Sequence, residues 1–223
     1  MVSKKTKELN KEAIKKAIKG VKNTYSPDKM IIQAVQAFKE EEHLINVEYE
    51  RLREFYWRYH PEALERVDSV EELTGMIIKG VNRPADTMGY GLSKEELSLM
   101  KSYAEGVKEH LKVIDLLEKF INAETIKLAP NTSRIATPLL TARLIALAGG
   151  FKELAFMPAS TIQLLGAEKA LFRHLKRGSR PPKHGVILSH SSVQSAKNKG
   201  KAARQLANKL MINLRKDYFG EDG

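Results

Sequence analysis

From Ile31 an apolar residue returns every seven positions, at Ile31, Phe38, Ile45, Leu52 and Tyr59, with Val35, Tyr49 and Tyr56 between them. A seven-residue period marks a helix that buries one narrow seam against another helix. About 33 residues at a rise of roughly 1.5 Å each predict a rod on the order of 50 Å. Both of its ends are encoded. Ser26-Pro27-Asp28 supplies an N-cap, a proline at the first helical position and an acid at the positive end of the helix dipole. His60-Pro61 stops it. Ser93-Lys94-Glu95-Glu96 then offers a capping box, and Leu97, Met100, Ala104, Val107, Leu111, Ile114 and Ile121 follow at spacings of three and four, interrupted by Glu118. This predicts a second helix of about 30 residues. The connector holds a short helix from Ser69 to Lys79 and a poorly patterned stretch with Pro84, Gly89 and Gly91. Two rods of similar length joined this way predict a long antiparallel coiled coil over residues 26–123, with Ile31, Phe38, Ile45, Leu52, Leu97, Ala104 and Leu111 in its seam. Two helices of an ordinary bundle would give the same pattern.

After Ala129-Pro130 the texture changes. Leu139 to Gly150 is almost wholly apolar around Arg143 and predicts a buried helix closed by Gly149 and Gly150. A second helix is predicted over Thr161 to Arg177. A third runs from Lys199 to Phe219, with Ala202, Leu206, Leu210 and Leu214 on one stripe. Between these two, Gly178 to Val193 reads as a Pro- and Gly-rich loop with a short extended piece at Val186-Ile187-Leu188. The fold class is therefore all-α: residues 1–25 a basic N-terminal segment, either a short amphipathic helix or an arm, residues 26–123 the coiled coil, and residues 124–223 a globular helical domain.

Charge sharpens this division. The chain has 223 residues and a formal net charge of +11. Residues 1–123 hold 21 basic and 21 acidic side chains, whereas residues 124–223 hold 17 and 6 and so carry the whole excess. A polyanionic partner on the C-terminal part follows, because each phosphate met by Lys or Arg releases a condensed counterion. With no cysteine there is no disulfide framework, thiol nucleophile or cysteine-based metal site. No apolar run is long enough to span a membrane and the lysine-rich start has no apolar signal core, so a cytoplasmic protein is expected.

The densest cationic stretch lies between Ser160 and Leu210, where Glu168 is the single acid. Lys169, Arg173, Lys176 and Arg177 fall at i, i+4, i+7 and i+8 and share a helix face. Lys201 and Arg204 do the same on the last helix. A solvated charged face is the plain reading, but such faces interleave acids as the first 123 residues do. In Pro181-Pro182-Lys183-His184-Gly185 two prolines stiffen a loop, Gly185 permits close backbone approach and His184 offers a ring to stack on a base or bond a phosphate. His174 and His190 form no metal-ligand spacing with it, and no metal or cofactor is expected. Phosphate-loop, dinucleotide, zinc-protease and paired-carboxylate motifs are missing, and acids for general acid/base chemistry are scarce, so an enzyme is not expected. Gly166-Ala167-Glu168-Lys169 sits within a helical pattern and fails the phosphate-loop spacing.

Three strings, Pro158-Ala159-Ser160-Thr161-Ile162-Gln163, Gly166-Ala167-Glu168-Lys169-Ala170-Leu171-Phe172-Arg173 and Pro182-Lys183-His184-Gly185, resemble the signature of the Nop domain. This is the RNA-binding domain of archaeal box C/D ribonucleoprotein core proteins and their eukaryotic nucleolar and spliceosomal relatives. The likeness extends through Ala129-Pro130-Asn131, the segment from Ala142 to Gly149, Lys199-Gly200-Lys201-Ala202-Ala203-Arg204 and Asp217-Tyr218-Phe219. It also includes Ser26-Pro27-Asp28 and Arg51-Leu52-Arg53-Glu54-Phe55-Tyr56 of the first rod, and so covers about residues 26–220.

The resemblance implies a coiled coil carrying a Nop domain that binds a kink-turn RNA already holding a small kink-turn-binding protein of the ribosomal type. It implies self-association through the coiled coil, and a scaffold role in particles that guide 2′-O-methylation. On the matching positions, Gln163, Lys169 and Arg173 on the signature helix and Lys183 and His184 in the loop are expected to meet RNA, supported by Lys176, Arg177, Lys201 and Arg204. Ala170 and Leu171 are candidates for the core or for the contact with the partner protein, the core first. The family places a fibrillarin-recruiting domain ahead of the coiled coil, yet only about 25 residues precede Ser26. The sequence is thus a fragment or a short paralogue, and recruitment through that domain is in question. Residues Thr132 to Pro138, Glu40-Glu41-Glu42 and the segment around Glu118 also depart from the family pattern. The alternative is a coiled-coil adaptor with an incidental basic face.

Overall fold

The computed structural model describes residues 4–23, 26–80 and 83–220. Residues 1–3 and 24–25 of the expected basic segment lie outside the described residues. Among the described residues regular structure is helical throughout, in the order α1 (Lys4–Asn23), α2 (Pro27–Tyr59), α3 (Val70–Lys79), α4 (Lys94–Leu128), α5 (Pro130–Ile135), α6 (Pro138–Ala148), α7 (Phe151–Phe156), α8 (Ala159–Leu164), α9 (Glu168–Arg177), α10 (Ser191–Gln194) and α11 (Lys199–Phe219). Tight 3-10 turns occupy Pro61–Arg66 and Val186–Ser189. No helix among them is long and apolar enough to cross a membrane. The chain divides into two compact units, residues 34–120 and residues 1–33 with 121–223.

In the unit of residues 34–120, α2 ends before Pro61 as expected. Helix α4 starts on the capping box: Ser93 N–H donates to Glu96 Oε2 at 2.7 Å and Glu96 N–H to Ser93 Oγ at 3.2 Å. Phe38, Ile45, Leu52 and Tyr56 are buried on α2, and Met100, Ala104 and Val107 on α4, with Leu97 and Leu111 half-buried. The two helices run antiparallel where they meet, Phe55 edge-on to Tyr103 at 5.9 Å and Glu41 against His110 at 2.9 Å. Leu73 and Ile77 of α3 join Leu52, Tyr56, Met100, Ala104 and Val107 in one cluster.

The stretch after α3 has no periodicity, and polar anchors hold it instead. Thr87 Oγ1 and the Met88 N–H donate to the Glu62 carboxylate at 2.6 and 2.8 Å, and Arg83 Nε donates to Tyr59 O at 3.1 Å. The Thr87 hydrogen bond, then that of Met88, hold the Glu62 carboxyl at about 2, below its ordinary 4.5. Because the folded value is depressed, this contribution to loop order is complete above the ordinary glutamate range and is lost as pH falls toward about 2. The Met88 amide resonance should titrate with that midpoint, and Glu62→Gln should remove the titration.

The other unit is built around α11, which buries Ala203, Leu206, Ala207, Leu210 and Leu214 against α5, α7, α8 and α10. Ala202 of the expected stripe is half-buried, and Ala203 faces the core instead. Helix α6 buries Leu140, Ala142, Leu144 and Ile145 and ends at Gly149, whose φ of 84° is left-handed, while Gly150 begins α7. Asp28 does more than face a helix dipole. Its carboxylate accepts from the Ser26 hydroxyl and, at 2.8 Å, from the Phe151 N–H, so the first turn of α2 is tied to α7. Burial raises the Asp28 carboxyl, but these two bonds together with the Lys29 charge and backbone N–H outweigh it, and the group rests below its ordinary value.

Helix α5 has no side-chain cap of its own. Asp217, from the last turns of α11, accepts from Asn131 N–H at 2.9 Å, Thr132 N–H at 2.8 Å and Thr132 Oγ1 at 2.6 Å. Asp217→Ala leaves three donors without a partner and is expected to cost about 2 kcal/mol in urea unfolding, with Asp217→Asn recovering part of it.

Two expectations are corrected. Residues 161–177 are not one helix: α8 stops at Leu164, Gly166 turns the chain at φ 84°, and α9 starts at Glu168. Val186-Ile187-Leu188 is not extended but lies in a 3-10 turn, with Leu188 N–H donating to Gly185 O at 3.1 Å.

Candidate nucleic-acid interface

The break after α8 builds the site. Leu165 and Gln163 turn their carbonyls outward, where the Val186 and Gly185 N–H groups donate to them at 2.7 Å each, pinning the loop of Pro181 to Gly185 against the end of α8. Gln163 Nε2 adds a third tie, donating to Lys183 O at 2.7 Å. A Cβ on Gly185 would stand 1.9 Å from Leu165 O, so the position admits only glycine. On the other side Asn198 caps α11, its Oδ1 accepting from Lys201 N–H at 3.1 Å.

Between these walls lies an open groove of about 550 Å³ lined by Gln163, Pro182, Lys183, Asn198, Gly200, Lys201 and Arg204. Of the residues expected at the interface, Gln163, Lys183, Lys201 and Arg204 therefore converge. Lys169, Arg173, Lys176 and Arg177 are exposed on α9 and are not part of the groove lining, and His184 is half-buried beside Lys183 in the chain. Gln163 is correspondingly not on one helix with Lys169 and Arg173. Its amide nitrogen holds the loop, which leaves its oxygen for a ligand.

Among the described residues no acid pairs with this surface. Glu168 uses its carboxylate to accept from Gly166 N–H at 2.7 Å, fixing the turn. Among the described residues none of Lys169, Arg173, Lys176, Arg177, Lys183, Lys201 or Arg204 is in an ion pair. Cations so arranged suit a chain of phosphates, and an acid-free groove beside a stiff loop suits a bent backbone.

Helix α9 differs from expectation. It has no buried residue, and Ala170 and Leu171 are half-buried rather than core. Leu171 and His174 lie on its inner side, His174 bonding Ser179 O. Phe172 and Leu175 stand out at 59% and 69% exposure beside the basic face. The sequence reading missed them as surface because Ala-Leu-Phe-x-x-Leu resembles a core stripe. It also missed Asn198 and Gly200, although Asn before Lys199 is an N-cap signal.

The profile of the family described as "Nop: snoRNA binding domain, fibrillarin" matches residues 7–223. An uncharacterised NOP5 family protein of Methanocaldococcus jannaschii is 38% identical over 239 aligned residues, covering 94% of this chain and 56% of that protein. Nucleolar protein 58 of Saccharomyces cerevisiae is 34% identical, covering 87% of this chain and 43% of its own length. The chain thus spans about half the length of the curated relatives it matches. A fibrillarin/Nop5p complex has a chain of similar fold, with a TM-score of 0.58 at 24% identity over 96% of this chain and 70% of that one. With the helical groove, the signature strings and a profile match over nearly its whole length, the chain belongs to the Nop family.

Proposed function

We propose that this protein is an RNA-binding scaffold that recognises a kink-turn RNA together with a small kink-turn-binding protein of the ribosomal type, within box C/D ribonucleoprotein particles that guide 2′-O-methylation. The observation that carries the reading is the groove in which Gln163, Lys183, Lys201 and Arg204 converge with no acid among the described lining residues. Lys183, Lys201 and Arg204 grip the sharply bent phosphate backbone, Gln163 reads a sugar, phosphate or base edge, and His184 packs on an exposed nucleotide. Lys169, Arg173, Lys176 and Arg177 extend the basic surface along α9. Phe172 and Leu175 beside them support a surface shared with the small protein, since an RNA backbone gives exposed apolar side chains nothing to bury against. The coiled coil of residues 26–123 mediates self-association. The scaffold performs no chemistry. Methyl transfer belongs to fibrillarin in the assembled particle.

Gel-shift titration of a kink-turn RNA, with and without a small kink-turn-binding protein, tests the reading. Binding should tighten on adding the protein, and Phe172→Ala with Leu175→Ala should remove the gain while leaving the weaker direct binding. Equal affinity with and without the protein would leave a simple basic RNA-binding surface.

A further inference from the structure

Helix α1 is the element that the RNA-binding reading does not use. Every side chain from Leu9 to Lys22 is exposed. Leu9 is 59% exposed, Ile14 58% and Ile18 51%, and nothing stands within 4 Å of where a Cβ on Gly20 would be. At 100° per residue the arrangement is two-sided. Ile14 and Ile18 are one turn apart, Ala13 and Ala17 lie beside them with Val21 and the polar Asn10 between, and Leu9 closes the far edge. Lys11, Lys22 and Lys15 border the Ile18 edge, Lys16 borders the Leu9 edge, and Lys19 lies across the polar side, against Glu12 as the single acid between Leu9 and Lys22.

This pattern discriminates between occupants. An RNA groove would use the lysines but would leave half of the helix facing water with apolar side chains. A lipid surface favours large or aromatic residues, whereas alanines beside isoleucines make a shallow face suited to close packing on protein. Pairing with a second α1 would bring lysine borders together. What complements an Ala/Ile face with cations on both borders is an apolar groove with acidic rims, the helix-in-groove mode of recognition.

We infer that α1 is a docking helix that inserts Ile14 and Ile18 into an acid-rimmed apolar groove of a partner protein. This binding is separate from the RNA-binding groove. The test uses the full chain and fluorescence anisotropy, with a labelled synthetic two-helix hairpin peptide carrying leucine in the groove between its helices and glutamate on both rims as the probe. The chain should bind it, and Ile14→Asp with Ile18→Asp should weaken binding by roughly tenfold or more. Lys11→Glu with Lys15→Glu, which keeps the apolar face, should weaken it as well, and neither pair should alter binding to a kink-turn RNA. A control peptide with lysine in place of glutamate should not bind. The inference is overturned if the acidic peptide does not bind, if both variants bind as the parent does, or if the lysine peptide binds equally. It is also overturned if the chain instead binds phosphatidylcholine/phosphatidylserine vesicles in a manner lost in the Ile14/Ile18 variant, or if that variant loses RNA binding. Such an RNA loss would make α1 part of the RNA interface, while unchanged RNA binding leaves the function proposed above standing whatever the peptide does.

Discussion

Gly185→Ala is expected to lower the melting temperature by roughly 6–12 °C, from a cost of about 3 kcal/mol, and to abolish RNA binding by the groove. The added methyl would lie 1.9 Å from Leu165 O and within 2.8 Å of the Leu164 carbonyl carbon, and both are backbone atoms that no rotamer change can move. Relief requires the loop to lift, which breaks the paired bonds from Gly185 to Gln163 and from Val186 to Leu165. It also frees Gln163 Nε2 from Lys183 O. Lys183 would then lose its place opposite Lys201 and Arg204. Thermal unfolding followed by circular dichroism reads the first effect and a gel shift the second. A variant that melts like the parent and binds RNA normally would show that the loop does not form the wall of the site.

The combined substitution Lys183→Ala, Lys201→Ala and Arg204→Ala is expected to leave the melting temperature nearly unchanged and to weaken RNA binding about a hundredfold, at about 1 kcal/mol for each exposed charge-assisted contact. All three side chains are exposed and, among the described residues, none is in an ion pair, so the fold loses little with them. Salt dependence separates lost contacts from a damaged fold. Each phosphate no longer neutralised should make the plot of log K against log salt shallower by roughly 0.7 to 0.9, hence by about 2 to 3 in total. Arg173→Ala on α9 should change that slope by no more than about one phosphate's worth. A triple variant with an unchanged slope would move the phosphate contacts out of the groove.

Much of this was legible in the sequence wherever the signal was local. The heptad from Ile31 to Tyr59, the Ser93/Glu96 capping box and the stop at Pro61 each act within a turn or two, and each helix end falls where those residues put it. That Gly185 permits close backbone approach was also readable, from its place at the end of a stiff proline loop. The break between α8 and α9 was not. Leu164, Leu165, Ala167, Glu168 and Lys169 are all good helix formers, and one glycine among them is ordinarily tolerated. The break is decided by Val186, 21 positions further on, whose N–H claims the Leu165 carbonyl. The Asp217 cap of α5 spans 86 and 85 positions and gives no local sign at all. For the same reason the convergence of Gln163 and Lys183 with Lys201 and Arg204 could be guessed as a shared charge but not as a groove.

That α9 buries none of its residues has a bearing on how the protein can change over time. Mutations there touch no core packing, so Phe172, Leu175 and the four cations can drift at almost no cost to folding, whereas α11, with five buried positions, is held nearly fixed. A saturation scan scored for abundance and for RNA binding should be flat at Phe172, Leu175 and the four cations of α9 in the first readout and steep in the second. Along Ala203, Leu206 and Leu210 both should fall together. Partner choice in such a lineage would diversify by rewriting one surface helix while the scaffold beneath it stays the same.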